Sequence, residues 1–572
     1  MKVKLPKELK GIKFSRVFTV DMNSFDINTF LPTLFHTILA GGRGKVRRTN
    51  DPEKIQQYIE TLALKPDLQG FDDQIGRRVL ERFVRTTLIT TGAKGRSKRG
   101  EQITSIVPYS LLAHKPGFPA ESSPLRGADV FIYQALREKM GRDDRSLQQA
   151  IKLVFGRGVI IGNMPNLGGA YDGTTPLDTV TRLSVAFLDG FKDTPTNMIR
   201  EPDVTAACPE LVKEMGEDLL TFLFKFYERM PSQALTCNLL ALINFELFIY
   251  TLKLVYAVNA LVRDPETLPA AMRDALEPSP PQLYLDFTQN VRGRSHEMAR
   301  ECVRRDIEAL QQFLSSNLLL RLLDSYIVSL RRNAQRKAKI DAVLDGNESG
   351  PLYLQRLLLL LNEPSLSAHF EARAQQDEEW IRGENRLPEE SDVAASEDDL
   401  SWLDDITASA DSDIERVVSL LAEGQRDSAL QHYVSWYRSV GGMKEPHGLL
   451  AGTVKSRASW RYAPSNDLLA VLVQVAAARL SKQGVVEPVR LQEFLRFLES
   501  HYGILIDRPP DMFKGAEYIA AAHDNLRAMQ NRLRQMGIFR DLSDDFTVQQ
   551  LHPPYVQNTA NHMKAAKSIE SR

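Results

Sequence analysis

One apolar run, Leu239 to Val258, constrains this chain more than any other feature. It is long enough to span a bilayer, but it contains Asn244, Glu246, Thr251 and Lys253. A charged residue at the centre of a membrane helix costs about 2.5–3.5 kcal/mol even on insertion scales, and this run holds two. It is read as a buried core helix, with no membrane involved.

The surrounding pattern extends that reading. Leu-rich stretches at Leu177 to Phe191, Cys208 to Arg229, Leu235 to Arg263, His296 to Arg332 and Tyr353 to Leu361 have helical patterning. Gly168-Gly169, Pro231 and the EPSPP run at 277–281 fall between them. Proline lacks a backbone donor and clashes inside a helix, so these positions mark boundaries. No fixed repeat of about 20 to 50 residues is present, so a regular solenoid is not expected.

Charge divides the chain unevenly. From Asp377 to Glu415 there are fifteen Asp or Glu, and the basic residues are Arg382 and Arg386. That stretch carries -13, and because the whole chain carries -1, the remainder carries +12. An acidic, aliphatic-poor segment buries too little apolar surface to offset its ordering entropy. Residues 376–412 are therefore read as a flexible acidic linker, with Trp402 and Leu403 as its exceptions.

Four further parts follow. Residues 1–148 form a mixed α/β part: Lys13 to Met22 reads as a strand and Asn28 to Leu39 as a helix stopped by Gly41-Gly42. In the same part, Asp73 to Thr87 reads as a helix with Ile75, Val79, Phe83 and Val84 on its apolar face, and Pro108 to Pro124 is irregular. Residues 149–375 are helical. Residues 413–555 form a second helical unit, whose last helix, Ala516 to Met536, ends at Gly537 and is followed by a short hairpin. Helices followed by a two-stranded wing make this unit winged-helix-like. Residues 556–572 are a polar tail. The expected fold is mainly α and multidomain.

Cys208, Cys237 and Cys302 are few and far apart, which argues against a disulfide framework and against a zinc site. The start, MKVKLPKELKGIKF, has no apolar run to serve as a signal peptide. The expected compartment is the reducing cytoplasm.

Motifs for chemistry fail on spacing. Gly41 to Lys45 suggests a phosphate loop, but Leu39 stands where a glycine is needed and Val46 where a hydroxyl is needed. FGRGVIIG at 155–162 has the wrong spacing for a dinucleotide fingerprint, and Asn163-Met164-Pro165 follows where a helix must begin. His296-Glu297 lacks the second metal histidine, since Arg300 occupies its place. His36 lies in an apolar helical stretch and reads as a core histidine. Asp203, Glu210 and Lys213 come nearest to a nuclease set, with Glu-x-x-Lys in place of Glu-x-Lys. No catalytic residue, cofactor or metal ligand is assigned.

Basic clusters are the remaining signal. Arg43, Lys45, Arg47 and Arg48 form one, and Lys94, Arg96, Lys98 and Arg99 another. Glycines between the charges let backbone N–H groups approach a phosphate. Lys455, Arg457 and Arg461 lie with Trp460 and Tyr462, a basic-aromatic mixture suited to nucleic acid. A further cluster, Arg331, Arg332, Arg336, Lys337 and Lys339, sits at a helix end. These residues are nucleic-acid-binding candidates, with solvated surface as the competing reading.

Four stretches resemble a known set: GGRGKVRRTNDP at 41–52, SIVPYSLLAHKPGFP at 105–119, SWRYAPSNDLLAVLVQ at 459–474 and LRQMGIFRDLSDDFTVQQLHPPY at 533–555. They resemble an accessory protein of bacterial methylation-associated defence systems against phage. The resemblance implies partners encoded nearby, including a DNA methyltransferase, ATPases and a specificity-type subunit. It carries over no catalytic residue. The function expected is a non-enzymatic scaffold or adaptor subunit of an antiphage defence complex that also contacts DNA without sequence preference. The alternative is a divergent metal-dependent nuclease.

Overall fold

The computed structural model describes residues 2–46, 55–92, 102–117, 125–203, 206–344, 346, 348–386, 400–443, 445–481, 485–540 and 549–556. Among them the first helices are Phe30–Leu39 (α1), Ile55–Ala63 (α2), Gln74–Phe83 (α3), Ala128–Lys139 (α4), Asp144–Phe155 (α5) and Thr179–Asp189 (α6). The middle of the chain holds Pro209–Phe226 (α7), Ser232–Arg263 (α8), Ala270–Arg273 (α9), Arg294–Leu330 (α10), Ala334–Val343 (α11) and Gly350–Leu359 (α12). Then follow Ser367–Asn385 (α13), Ser401–Thr407 (α14), Asp413–Val440 (α15), Asn466–Leu480 (α16), Leu491–Phe497 (α17) and Ala516–Gln535 (α18).

Strands are short. Arg43–Lys45 (β1) pairs with Thr196–Arg200 (β6), Ile89–Gly92 (β2) with Gln102–Ile106 (β3), and Val159–Ile160 (β4) with Ala170–Tyr171 (β5). Leu283–Tyr284 (β7) pairs in parallel with Ile504–Leu505 (β11), and Leu450–Thr453 (β8) forms a hairpin with Ser456–Tyr462 (β9). Val489–Arg490 (β10), Gln550–Leu551 (β13) and Phe539–Arg540 (β12) form an antiparallel sheet in that spatial order. The protein is mainly α.

Local sequence accounts for many of the ends. Asp73, Asp143, Asp178, Ser412 and Ser465 cap α3, α5, α6, α15 and α16, each accepting a backbone N–H with its side-chain oxygen. Pro209 opens α7, where its missing N–H costs nothing. Gly41 and Gly42, at φ 61 and 80, turn the chain after α1, and Gly537 at φ 71 does so after α18.

Three expectations need correction. Lys13 to Met22 is not a strand. Phe14, Val17, Phe18, Val20 and Met22 are buried in a turn without a ladder partner, and the Phe18 ring lies 5.3 Å from Phe131 and 5.5 Å from Tyr250. Only part of the expected stripe is buried: Val84, just past the end of α3, is fully buried and Phe83 packs against the core, but Ile75 is 73% exposed and Val79 55%, and Gly76, Leu80 and Leu88 face inward instead. Gly76 sits where a Cβ would meet the Gly70 carbonyl at 2.2 Å, so glycine lets the preceding turn pack closely on the start of the helix.

The third correction concerns the acidic stretch. Its two ends are helical and packed: Ile381 on α13 and Leu403 on α14 are fully buried. Arg382 holds them together, bonding Glu378 at 2.8 Å and Asp404 at 2.6 Å. Two apolar anchors and one bridging cation supply the burial that composition alone did not promise. Residues 387–399 and the tail from 557 lie outside the described residues.

One buried apolar cluster runs from Val3 to Leu551. Helix α8 lies within it against α7, α10, α15 and α16, with 89% of its most apolar window buried. Helix α10 packs on α15 and β9. Residues 149–375 and 413–555 therefore share a core.

Candidate functional site

A polar residue inside a buried helix must find its partners within the protein. Helix α8 buries six such residues; Thr236 and Asn259 bond the Pro108 and Ala309 carbonyls, and the four within the apolar run are each met by an element beyond residue 430. Asn244 Nδ2 donates to the Ser439 carbonyl at 3.3 Å. Thr251 Oγ1 accepts from Trp436 Nε1 at 3.2 Å. Lys253 Nζ donates to the His501 carbonyl at 2.9 Å. Glu246 Oε1 lies 2.8 Å from the Tyr502 hydroxyl.

The last two contacts belong to a larger cluster. Asp218 on α7 lies 2.6 Å from His501 Nε2 and 3.0 Å from the Tyr502 hydroxyl. Arg479 on α16 reaches Asp218 at 3.1 Å and Glu217 at 2.7 Å, and also bonds Glu214. His501 and Tyr502 end the widened turn after α17, which stops at Gly503 with φ 75. A Cβ at Gly503 would meet the Pro281 carbonyl at 2.8 Å, so glycine alone fits there.

Burial sets the electrostatics. It pushes the Glu246 carboxyl well above the ordinary range, and the Asp218 carboxyl adds to the effect. Burial also draws the Lys253 ammonium down to about 8, against the pull of Glu246. Nearby, burial pushes the Cys208 thiol up to about 12, which leaves it a poor nucleophile. The partly open space between them is about 20 Å³, bounded by Met215, Ile249 and Ala275 among others. That is room for about one water molecule. The arrangement holds protons and joins helices, and it has no space for a substrate.

A second buried carboxyl anchors β9. Asp306 on α10 accepts from Tyr256 at 2.7 Å, from Arg305 at 2.9 Å and from Tyr462, whose hydroxyl lies 2.6 Å from that of Tyr437. Asp286 accepts from Ser295 Oγ at 2.7 Å, and its other oxygen lies 3.7 Å from His296 Nδ1 and 3.8 Å from Arg461 Nε.

The basic residues nominated by sequence fall in several places. Arg43 donates to the Ala40 carbonyl at 3.1 Å and Lys45 to the Pro116 carbonyl at 2.8 Å, so both serve the β1 turn. Lys45 stands near two buried histidines. His36 is drawn down to about 2 and His114 to about 3, by burial first and by Lys45 second. His36 Nε2 lies 3.1 Å from Thr196 Oγ1, in keeping with a core histidine. Arg47, Arg48, Lys94, Arg96, Lys98 and Arg99 lie outside the described residues.

Lys455 and Arg457 are exposed on the β8–β9 hairpin. Arg461 instead turns toward Asp286. The expected aromatic partners do not face solvent: Trp460 is buried and donates to the Thr453 carbonyl at 2.8 Å, and Tyr462 is fully buried. Arg331 bonds the Leu344 carbonyl at 3.0 Å and Asp341 at 3.1 Å. Of the nuclease trio, Lys213 pairs with Glu210 at 2.6 Å while Asp203 pairs with Arg137 at 3.0 Å. Among the described residues, no group of three or more His, Cys, Asp or Glu is placed to hold a metal ion.

Sequence reading missed Asp218, Arg479, His501 and Tyr502. A signal was present for the first: Asp218 shares one face of α7 with Leu211, Met215 and Phe222, and an acid in an apolar stripe needs partners.

Fold and cluster together define a mainly α-helical protein whose buried ionisable groups tie distant helices. Residues 7–555 match the family model described as Methylation-associated defense system protein MAD7, and the chain belongs to that family. It is thus a component of a methylation-associated defence system, as the four sequence stretches indicated. No curated protein and no solved structure matches the chain.

Proposed function

We propose that the chain is a non-catalytic adaptor that works in the cytoplasm and holds other subunits of its defence system. An ATPase, a methyltransferase or a specificity subunit are the partners envisaged, with weak, sequence-independent contact to DNA. The observation that carries this reading is the use made of the ionisable residues. Asp218, Glu246, Lys253 and His501 surround about 20 Å³ and bond one another's helices. The adjacent exposed residues Met198 and Ile199 on β6 are candidates for a contact with a partner.

Affinity purification from cells carrying the whole system, followed by mass spectrometry, tests this. Stoichiometric recovery of at least one neighbouring gene product is expected. A monomer that recovers none of them would overturn the adaptor reading. Metal-dependent DNA cleavage by the purified protein would replace it with the nuclease alternative.

A further inference from the structure

The C-terminal elements follow a particular order. Helix α16 leads to β10, then α17, then β11, which pairs outward with β7, then α18, then β12 and β13, and the sheet order is β10-β13-β12. Three helices with a strand after the first, closed by a hairpin whose last strand lies central, is the connectivity of a winged helix. The third helix of such a module is the one placed in a nucleic-acid groove.

Helix α18 has the two faces this role needs. Its inner face is fixed: Ala522, Met529 and Leu533 are fully buried. Asn525 donates to the Leu285 and Ile506 carbonyls at 2.8 and 3.0 Å and accepts from the Phe287 N–H at 2.7 Å. Gln530 bonds Gln549 beside β13 at 3.0 Å, and Arg532 bonds Asn466 at the start of α16. Its outer face is open along the whole helix, with Ala520, His523, Arg527, Asn531 and Gln535 exposed. These are side chains of the type that hydrogen-bond base edges or approach a thymine methyl.

Cations lie at the near end. The Arg294 guanidinium sits 5.4 Å over the Tyr518 ring, so the start of α10 adjoins the start of α18. Arg300 follows on α10, exposed and only 3.8 Å from Glu301. His296 and Arg461 meet there at Asp286, and Arg457 is exposed on the same strand β9. The acids there are Glu297, which pairs with Arg294 at 2.6 Å and accepts from the Tyr518 hydroxyl at 3.4 Å, Glu301 beside Arg300, Glu517 in the first turn of α18, and Asp524, which pairs with Arg527 at 3.2 Å.

We propose that the C-terminal helices and three-stranded sheet form a winged-helix module that lays the outer face of α18 along a groove of duplex DNA, with Arg300 and Arg457 touching the flanking phosphates. This rests on the DNA contact in the reading above and names its form and its surface. The mixed charge of α18 makes the contact weak and the flanking cations make it sensitive to salt.

Fluorescence anisotropy with full-length protein tests it, using a labelled duplex and a single strand of equal length at low and raised salt. Wild type is expected to prefer the duplex. The double variant R527E/N531E, altered only at exposed positions, should bind about tenfold more weakly. H523E reads the same face independently. R300E/R457E should weaken binding and flatten the salt dependence, whereas K213E on α7 should change neither. Thermal unfolding serves as the folding control for each variant. If wild type binds duplex and both α18 variants bind equally well, the module assignment falls while DNA contact stands. If wild type prefers the single strand, the groove placement falls. If wild type shifts neither probe at low salt, DNA contact itself falls, and this proposal with it.

Discussion

The Tyr502 hydroxyl lies 2.8 Å from Glu246 Oε1, joining the turn after α17 to the middle of α8 across 256 residues of sequence. The same oxygen lies 3.0 Å from Asp218. A phenol has one proton to give, so it donates to one carboxyl and accepts from the other. Burial and the Asp218 carboxyl both raise the Glu246 carboxyl, while the Tyr502 hydroxyl lowers it. Replacing Tyr502 by Phe leaves two buried carboxyls without their bridge. Urea unfolding should show a loss of about 1–3 kcal/mol, and an unchanged midpoint would mean the bridge contributes nothing.

Glu246 makes stability depend on pH. Its folded value is raised above the ordinary 4.5, so the folded protein keeps a proton that the unfolded chain releases. The contribution is complete below pH 4.5 and is lost as pH rises through the folded value. Glu246→Gln keeps a neutral partner for Tyr502 and needs no proton. Its melting temperature should exceed that of wild type at neutral pH and converge with it toward pH 4.5. Parallel curves for the two proteins would refute the assignment.

Arg479 faces Asp218, Glu217 and Glu214, and its side chain is 16% exposed. Removing one member of a buried ion pair strands the other, at a cost of about 3–5 kcal/mol. Arg479→Leu should destabilise on that scale, and adding Asp218→Asn should recover part of the loss. A double variant as unstable as the sum of its singles would deny the coupling.

His36 and His114 work in the opposite direction from Glu246. Both are held neutral by burial, with folded values of about 2 and about 3 against an ordinary 6.5. Their contribution is fully present above pH 6.5 and is lost as pH falls toward those folded values, because the unfolded chain takes up the protons first. His36→Gln should therefore lose less stability than wild type on acidification below pH 6.5. Equal losses, followed by circular dichroism, would show that the imidazole does not report on acid unfolding.

A shared core predicts that a cut between α13 and α14 does not separate the halves. A specific protease site placed within 387–399 should give two fragments that co-elute on size exclusion until denaturant is added. The parallel β7–β11 pair and the packing of α10 on α15 cross that cut. Elution as two independent pieces would restore the reading of residues 413–555 as a separate unit.

The sequence by itself determined many of the helices and their ends, though not α14 or the end of α13 inside the acidic stretch. Apolar periodicity, the caps at Asp73, Asp178 and Ser465, and the glycines at 41, 42 and 537 are local signals, and local backbone physics suffices to read them. It also determined that Leu239 to Val258 is buried, because Glu246 and Lys253 are too costly for lipid. Tertiary structure decided what those two residues meet. Asp218, Arg479, His501 and Tyr502 come from α7, α16 and the turn after α17, and no spacing rule relates positions so far apart. Tertiary structure also decided which face of α3 is covered, burying Leu80 and leaving Ile75 and Val79 exposed. It turned Trp460 and Tyr462 inward and left Lys455 and Arg457 outside, because the Asp306 carboxyl and the Thr453 carbonyl offered buried partners that composition does not reveal.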